Sequence, residues 1–308
     1  LLSCTLSKIN GLITMRQFTY SLLSSVILLA SINSTLSAQE KYSNEKIWEG
    51  EFWAESVWGI RSMAKGTSYT VQSNDAELGS VIDEYSYKSG KKIKTIASSK
   101  SVFGNSSERI SSYSFSEDER FIMITTDVES MYRHSFHANF YIYDTKSGDS
   151  AKPLTEFSKG KQRLATFSPS ADKVAFVRDN NVFIANLLDG SENQVTNDGL
   201  FNHIINGATD WVYEEEFGDD RGLKWSKDGT KLAYYKFDES AVREFHMPTY
   251  TGLYPELYTF KYPKAGEDNS KVEVYIYNYE TGVNHAVVVP KSAYYIPRFF
   301  WTNDSDEL

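Results

Sequence analysis

One short pattern recurs along this chain: an aromatic residue, Ser or Thr, a polar turn, then an apolar run. It reads YSFSEDERFIMI from Tyr113, TFSPSADKVAFV from Thr166 and LKWSKDGTKLAYY from Leu223, and it begins again as FFWTNDSDEL at Phe299. The anchoring aromatics Phe115, Phe167, Trp225 and Trp301 stand 52, 58 and 76 residues apart. Aromatic and turn signatures repeating at about this period mark the four-stranded blades of a β-propeller. A β-sandwich with chance turns would not repeat so regularly, and the widening intervals predict insertions in the later blades.

The residues between the copies agree. Tyr141-Ile142-Tyr143, Val182 to Asn186 and Val272 to Tyr277 each run into a Gly-containing turn, as strands entering hairpins do. Aromatic residues make up 15% of the 308-residue chain, a share that favours sheet faces. The fold class expected is therefore all-β, a partial β-propeller. The last copy of the pattern stops where a strand should follow Leu308, so the chain is expected to be a fragment that leaves an open sheet edge.

The N-terminus reads as a processing segment. Met15-Arg16 opens it, Leu22 to Ile32 is mostly apolar, and Ser37-Ala38 precedes polar residues, the layout of a cleavable signal peptide over 15–38. An uncleaved single anchor is the weaker alternative, because the apolar run is short for a membrane span. Residues 1–14 read as upstream or mis-assigned sequence. Loss of 1–38 removes Lys8 and Arg16 and takes the formal charge from −9 to −11. It also removes Cys4, the one cysteine, and with it disulfides, thiolate ligands and a cysteine nucleophile. The acidic balance excludes nucleic acid as an expected partner. A secreted or periplasmic location follows.

Residues 206–221, NGATDWVYEEEFGDDR, hold three adjacent acids, Glu214, Glu215 and Glu216. Adjacent like charges repel, so the run adds nothing to fold stability. Facing water it is a solvated acidic turn. Facing a cavity, converging carboxylates can hold a cation such as an ammonium group, which offers three donors. Asp210 is a candidate N-cap for a short helix, on which neighbouring glutamates diverge by about 100°. A glycosidase is disfavoured, since adjacent glutamates cannot flank a glycosidic bond at about 5 Å or more. There is no G-x-S-x-G elbow, no phosphate-binding or dinucleotide fingerprint, and no metal-ligand spacing among His134, His137, His203, His246 and His285. No cofactor or metal is expected.

DWVYEEEFG at 210–218 with LKWSKDGTKLAYYKFDE at 223–239 resembles dipeptidyl peptidase IV of the prolyl oligopeptidase family. MYRHSFHANFYIYD at 131–144, TFKYPKAGEDNSKVEVYIYN at 259–278 and KIWEGEFWAESVWGIRSM near residue 46 resemble it in the same order, so the likeness covers 45–308. It implies that 39–308 is about half of an eight-bladed N-terminal propeller, with a short inserted helix carrying the glutamate motif. It implies too that the C-terminal α/β-hydrolase domain, with the serine nucleophile, is absent from this chain, which would be inactive alone. By the same resemblance Glu215 and Glu216 bind the free N-terminal amine of a peptide substrate, Arg133 contacts its backbone carbonyl, and Glu214 is a structural neighbour pointing elsewhere. The activity implied is serine-type release of N-terminal dipeptides, X-Pro or X-Ala, and the family allows a homodimer. The animal enzymes have a permanent anchor and disulfides; their lack here resembles the bacterial periplasmic branch. The competing function is a non-catalytic periplasmic propeller that docks peptides or proteins.

Overall fold

The structure is a computed structural model that describes residues 42–54, 59–290 and 292–308. The leader assigned to 15–38 lies outside the described residues. The chain divides into two compact units, 1–57 and 58–308. In the first, helix α1 (Asn44–Trp48) is capped by Ser43, whose hydroxyl accepts the Lys46 N–H at 3.2 Å. Tyr42 and Phe52 rings meet at 4.7 Å in the same unit.

The second unit is a series of antiparallel meanders. The first sheet runs β1 (Arg61–Ser62), β2 (Ser68–Asp75), β3 (Gly79–Ser86) and β4 (Lys92–Ser98), followed by helix α2 (Ser99–Phe103). The second runs β5 (Ser112–Phe115), β6 (Phe121–Ser130), β7 (Phe136–Asp144) and β8 (Lys152–Pro153). The third runs β9 (Arg163–Phe167), β10 (Lys173–Arg178), β11 (Asn181–Asn186) and β12 (Glu192–Gln194). The fourth begins with β13 (Ile204–Asn206), helix α3 (Trp211–Glu215), β14 (Leu223–Trp225) and β15 (Lys231–Asp238). A hairpin, β16 (Glu244–Thr249) and β17 (Glu256–Lys261), separates these from β18 (Lys271–Asn278) and β19 (Asn284–Ala286). This is the blade order of a partial propeller, as the repeat predicts.

The repeated pattern marks the turn between the first two strands of a blade, and its serine explains why it recurs. Ser116, Ser168 and Ser226 each accept the backbone N–H five positions on, at 2.9, 3.1 and 2.9 Å. Each hydroxyl also donates to an aspartate in the turn, Asp118, Asp172 or Asp228, at 2.6, 2.8 and 2.6 Å. The third residue after the serine is left-handed in all three: Glu119, Ala171 and Gly229 at φ 58°, 55° and 72°. Only glycine adopts that conformation without cost. The aromatic anchors tie successive sheets together, Trp225 donating its indole N–H to Thr166 O at 3.2 Å and Trp301 to Lys224 O at 2.8 Å.

Period-two alternation then fills the spaces between sheets. On β6, Ile122 and Ile124 join a core with Ile82, Ala97, Val102 and Tyr113 of the preceding segments, while Met123 joins Phe140, Val174 and Phe176. On β10, Val174 and Phe176 face that second core, whereas Ala175 and Val177 face a third with Leu232, Tyr234 and Val274. Each inner strand thus supplies two neighbouring cores, which is why these runs are apolar throughout.

The insertions are of two kinds. The hairpin β16/β17 accounts for the longest interval. The other interrupts a strand: β13 and β14 pair with opposite halves of the same edge of β15, and 207–222 loops out between them. Gly207 N–H donates to Tyr235 O at 2.8 Å and Tyr235 N–H to Gly222 O at 3.0 Å, closing the neck of that loop. A Cβ on Gly222 would meet Gly207 O at 2.6 Å, so two backbones pass where a side chain has no room.

Candidate functional site

The looped-out segment carries the glutamates. Asp210 caps α3 as the sequence predicts: its Oδ1 accepts the Tyr213 N–H at 2.9 Å and its Oδ2 accepts the Ser270 hydroxyl at 2.7 Å. Val212, Tyr213 and Glu214 are buried. Tyr213 stacks edge-on against Phe217, Phe237 and Tyr235 at 5.0, 4.8 and 5.6 Å, and its hydroxyl accepts the Ile296 N–H at 2.8 Å. An aromatic wedge and a polar cap therefore fix a helix of five residues, far too short to be stable by itself.

Three acids in a row meet three environments. Glu216 is exposed, and among the described residues its carboxylate has no hydrogen-bond or ion-pair partner. Glu215 is half-buried and its Oε2 lies 3.0 Å from Arg133 Nε. Glu214 is 1% exposed; its Oε1 accepts the His134 and Ser135 N–H groups at 2.7 and 2.8 Å. The loop 131–135 between β6 and β7 thus lies against α3, although 80 positions separate His134 from Glu214. Arg133 is exposed, so its bond to Glu215 is a solvated ion pair whose worth is about 0–1 kcal/mol, and a competing cation can share it.

The chain matches the model of the dipeptidyl peptidase IV N-terminal region over residues 116–308. It belongs to that family. Dipeptidyl aminopeptidase B of Saccharomyces cerevisiae is 36% identical over 181 residues, 57% of this chain and 21% of that protein. The probable dipeptidyl-aminopeptidase B of Talaromyces marneffei is 38% identical over 179 residues, 54% of this chain and 20% of its own. The crystal structure of Porphyromonas gingivalis dipeptidyl peptidase 4 superposes with a TM-score of 0.78 at 44% identity, over 87% of this chain and 38% of that one. The chain therefore spans about a fifth of the length of these curated relatives.

The sequence-predicted residues Arg133, Glu215 and Glu216 lie on two segments that Glu214 joins. Two further groups carry no sequence signal. Arg163, the first residue of β9, is 3% exposed, and Glu214 is the foremost charge opposing the effect of burial on its guanidinium. Glu239, just after β15, is 6% exposed; burial, reinforced by Asp210, pushes its carboxyl up to about 7. Of the histidines, His134 contributes its backbone to the site, while burial lowers the His137 pKa.

Proposed function

We propose that this chain is the N-terminal propeller portion of a serine-type dipeptidyl peptidase, and that Glu215 and Glu216 bind the substrate's free N-terminal ammonium. The observation that carries this is the meeting of Arg133 with Glu215 at 3.0 Å beside an unpartnered Glu216. The ammonium donates to both carboxylates, relieving their mutual repulsion, and Arg133 turns its remaining donors to a backbone carbonyl of the same ligand. Holding the amine at a fixed distance from a nucleophile admits one peptide bond only, the second, so dipeptides are released, X-Pro or X-Ala. The nucleophile belongs to a C-terminal α/β-hydrolase domain. Residues 15–38 act as the leader, delivering 39–308 to the periplasm or cell exterior. Tyr250, Leu253 and Tyr254, exposed between β16 and β17, support a second copy of the chain as partner.

The test is Glu215→Gln and Glu216→Gln in the full-length protein. Loss of a charge partner at roughly 2–5 kcal/mol lowers kcat/KM for dipeptide release by about thirtyfold or more, while a small acylating probe still labels the serine. Unchanged dipeptide release in both variants overturns the reading and leaves a peptide-docking propeller.

A further inference from the structure

The acid that faces away from the ligand is the one with the most defined partners. Glu214 receives two consecutive backbone N–H groups, those of His134 and Ser135, on one carboxylate oxygen. These residues follow Arg133 directly, and Met131 N–H donates to Ser135 O at 2.9 Å, closing the loop into a tight turn. The direction in which the Arg133 side chain leaves the backbone is therefore set from α3, the helix that carries Glu215 and Glu216.

Glu214 is 1% exposed and its second oxygen, Oε2, is buried without a hydrogen-bond partner, so among the described residues the carboxylate is held through Oε1 alone. Arg163 on β9 is also buried, with Nε and one terminal nitrogen lacking hydrogen-bond partners, and burial lowers its pKa, Glu214 being the foremost charge that opposes this. The strand is distorted at this point. Its register with β10 shifts between Ala175 and Val177, so β9 holds one extra residue, and Leu164 stands at φ 58°. A branched side chain in the left-handed region costs on the order of 1–2 kcal/mol. The corresponding strand β5 pairs with β6 without any shift.

We propose that Glu214 is a positioning residue for Arg133. This rests on the amine-clamp reading above. Two sheets then contribute to one constellation: Arg133 from the second and Glu214 from the insertion in the fourth. Glu214 touches no substrate; its effect on the reaction passes wholly through the Arg133 loop.

The test is a double-mutant cycle in the full-length enzyme, with active enzyme counted by a small acylating probe. Glu214→Ala removes the acceptor for both N–H groups and should raise KM for a dipeptide substrate about tenfold to a hundredfold, the scale expected for misplacing a contact by about 1 Å, with a much smaller change in kcat. Glu214→Gln keeps an acceptor oxygen and should fall between this variant and the parent. In an Arg133→Ala background either substitution should change KM less than about twofold, because the group it positions is gone. If Glu214→Ala yields no labelled enzyme, Glu214→Gln carries the cycle: a KM rise that disappears with Arg133→Ala supports the proposal. A rise that persists there, or no rise at all, overturns it. An Arg133→Ala variant with parental KM fails the clamp and the positioning role together. A loss in Arg133→Ala with none in the Glu214 variants fails the positioning role alone.

Discussion

Replacing Glu239 by Gln should stabilise the protein, and only above about pH 4.5. The Glu239 carboxyl is 6% exposed and has no hydrogen-bond partner among the described residues. It is faced by Asp210 from the α3 cap, by Lys261 from β17, by Tyr132 from the β6–β7 loop and by its neighbour Asp238. Burial is the main reason that its pKa rises from 4.5 to about 7; Asp210 and Asp238 add to the rise and Lys261 opposes it. Below pH 4.5 both the folded and unfolded chains hold the proton, and the group is neutral in its effect. Between 4.5 and about 7 the unfolded chain loses the proton while the folded one keeps it, so stability falls as pH rises and the loss is complete above about 7. At about 1.4 kcal/mol per pKa unit the full loss is about 3 kcal/mol.

Glutamine copies the shape and neutrality of the protonated acid. The stability gained by Glu239→Gln should therefore grow from near zero at pH 4.5 to about 3 kcal/mol at pH 8, which raises the melting temperature by about 6–10 °C. Unfolding in urea, followed by tryptophan fluorescence at half-unit steps from pH 4.5 to 8.5, reads the difference directly. Parallel curves for parent and variant, or a variant less stable at pH 8, would refute the reasoning, since they would mean that the buried carboxyl ionises at its ordinary pH.

Two more substitutions probe how the glutamate loop is held. Gly207→Ala adds a Cβ at φ 77° against Val182, Leu223 and Val177 at 2.7, 2.8 and 2.9 Å, and should cost about 2–4 kcal/mol by the urea midpoint; a loss under 1 kcal/mol would show that the neck can widen. Asp210→Ala removes the α3 cap and the acceptor for Ser270, and should cost about 1–2 kcal/mol while raising KM for a dipeptide substrate. An unchanged KM alongside the expected destabilisation would show that α3 keeps its place without its cap.

The blades were legible because their signal is repeated and local. Ser116, Ser168 and Ser226 close the same turn with the same two bonds, so the pattern survives in the letters of the chain. The first sheet lacks that serine turn and so left no trace in the repeat. The insertions were legible as lengths and opaque as structures: nothing in 240–262 distinguishes an extra hairpin from a long loop, because strand pairing is decided by a partner run that could equally have paired elsewhere. The glutamate run shows the limit most clearly. Charge spacing could not say which acid is buried, because α3 is only five residues long and holds too few turns for a period to register. The cap at Asp210 could be read, since capping is local. The anchoring of Glu214 could not, because its donors are backbone N–H groups, which every residue except proline possesses. Arg163 lies in KQRLATF, an unremarkable strand sequence, and its bulge is visible only in the register with β10.

That division between local and long-range signals bears on how such a site can be built at all. A pair of carboxylates aimed at one cation is unfavourable until the cation arrives, so the segment carrying them contributes little to its own folding. Here it is set in place by parts that are stable for other reasons: the glycine neck on β15, the Tyr213 wedge among Phe217, Tyr235 and Phe237, and the Glu214 tie to the second sheet. None of these includes Glu215 or Glu216. The two residues assigned to the ligand are thus free of structural duty, and Arg133 holds Glu215 through a single solvated contact that can rearrange at little cost. On the proposed reading, rigid support beneath weakly committed side chains lets them turn to an ammonium group at little structural cost.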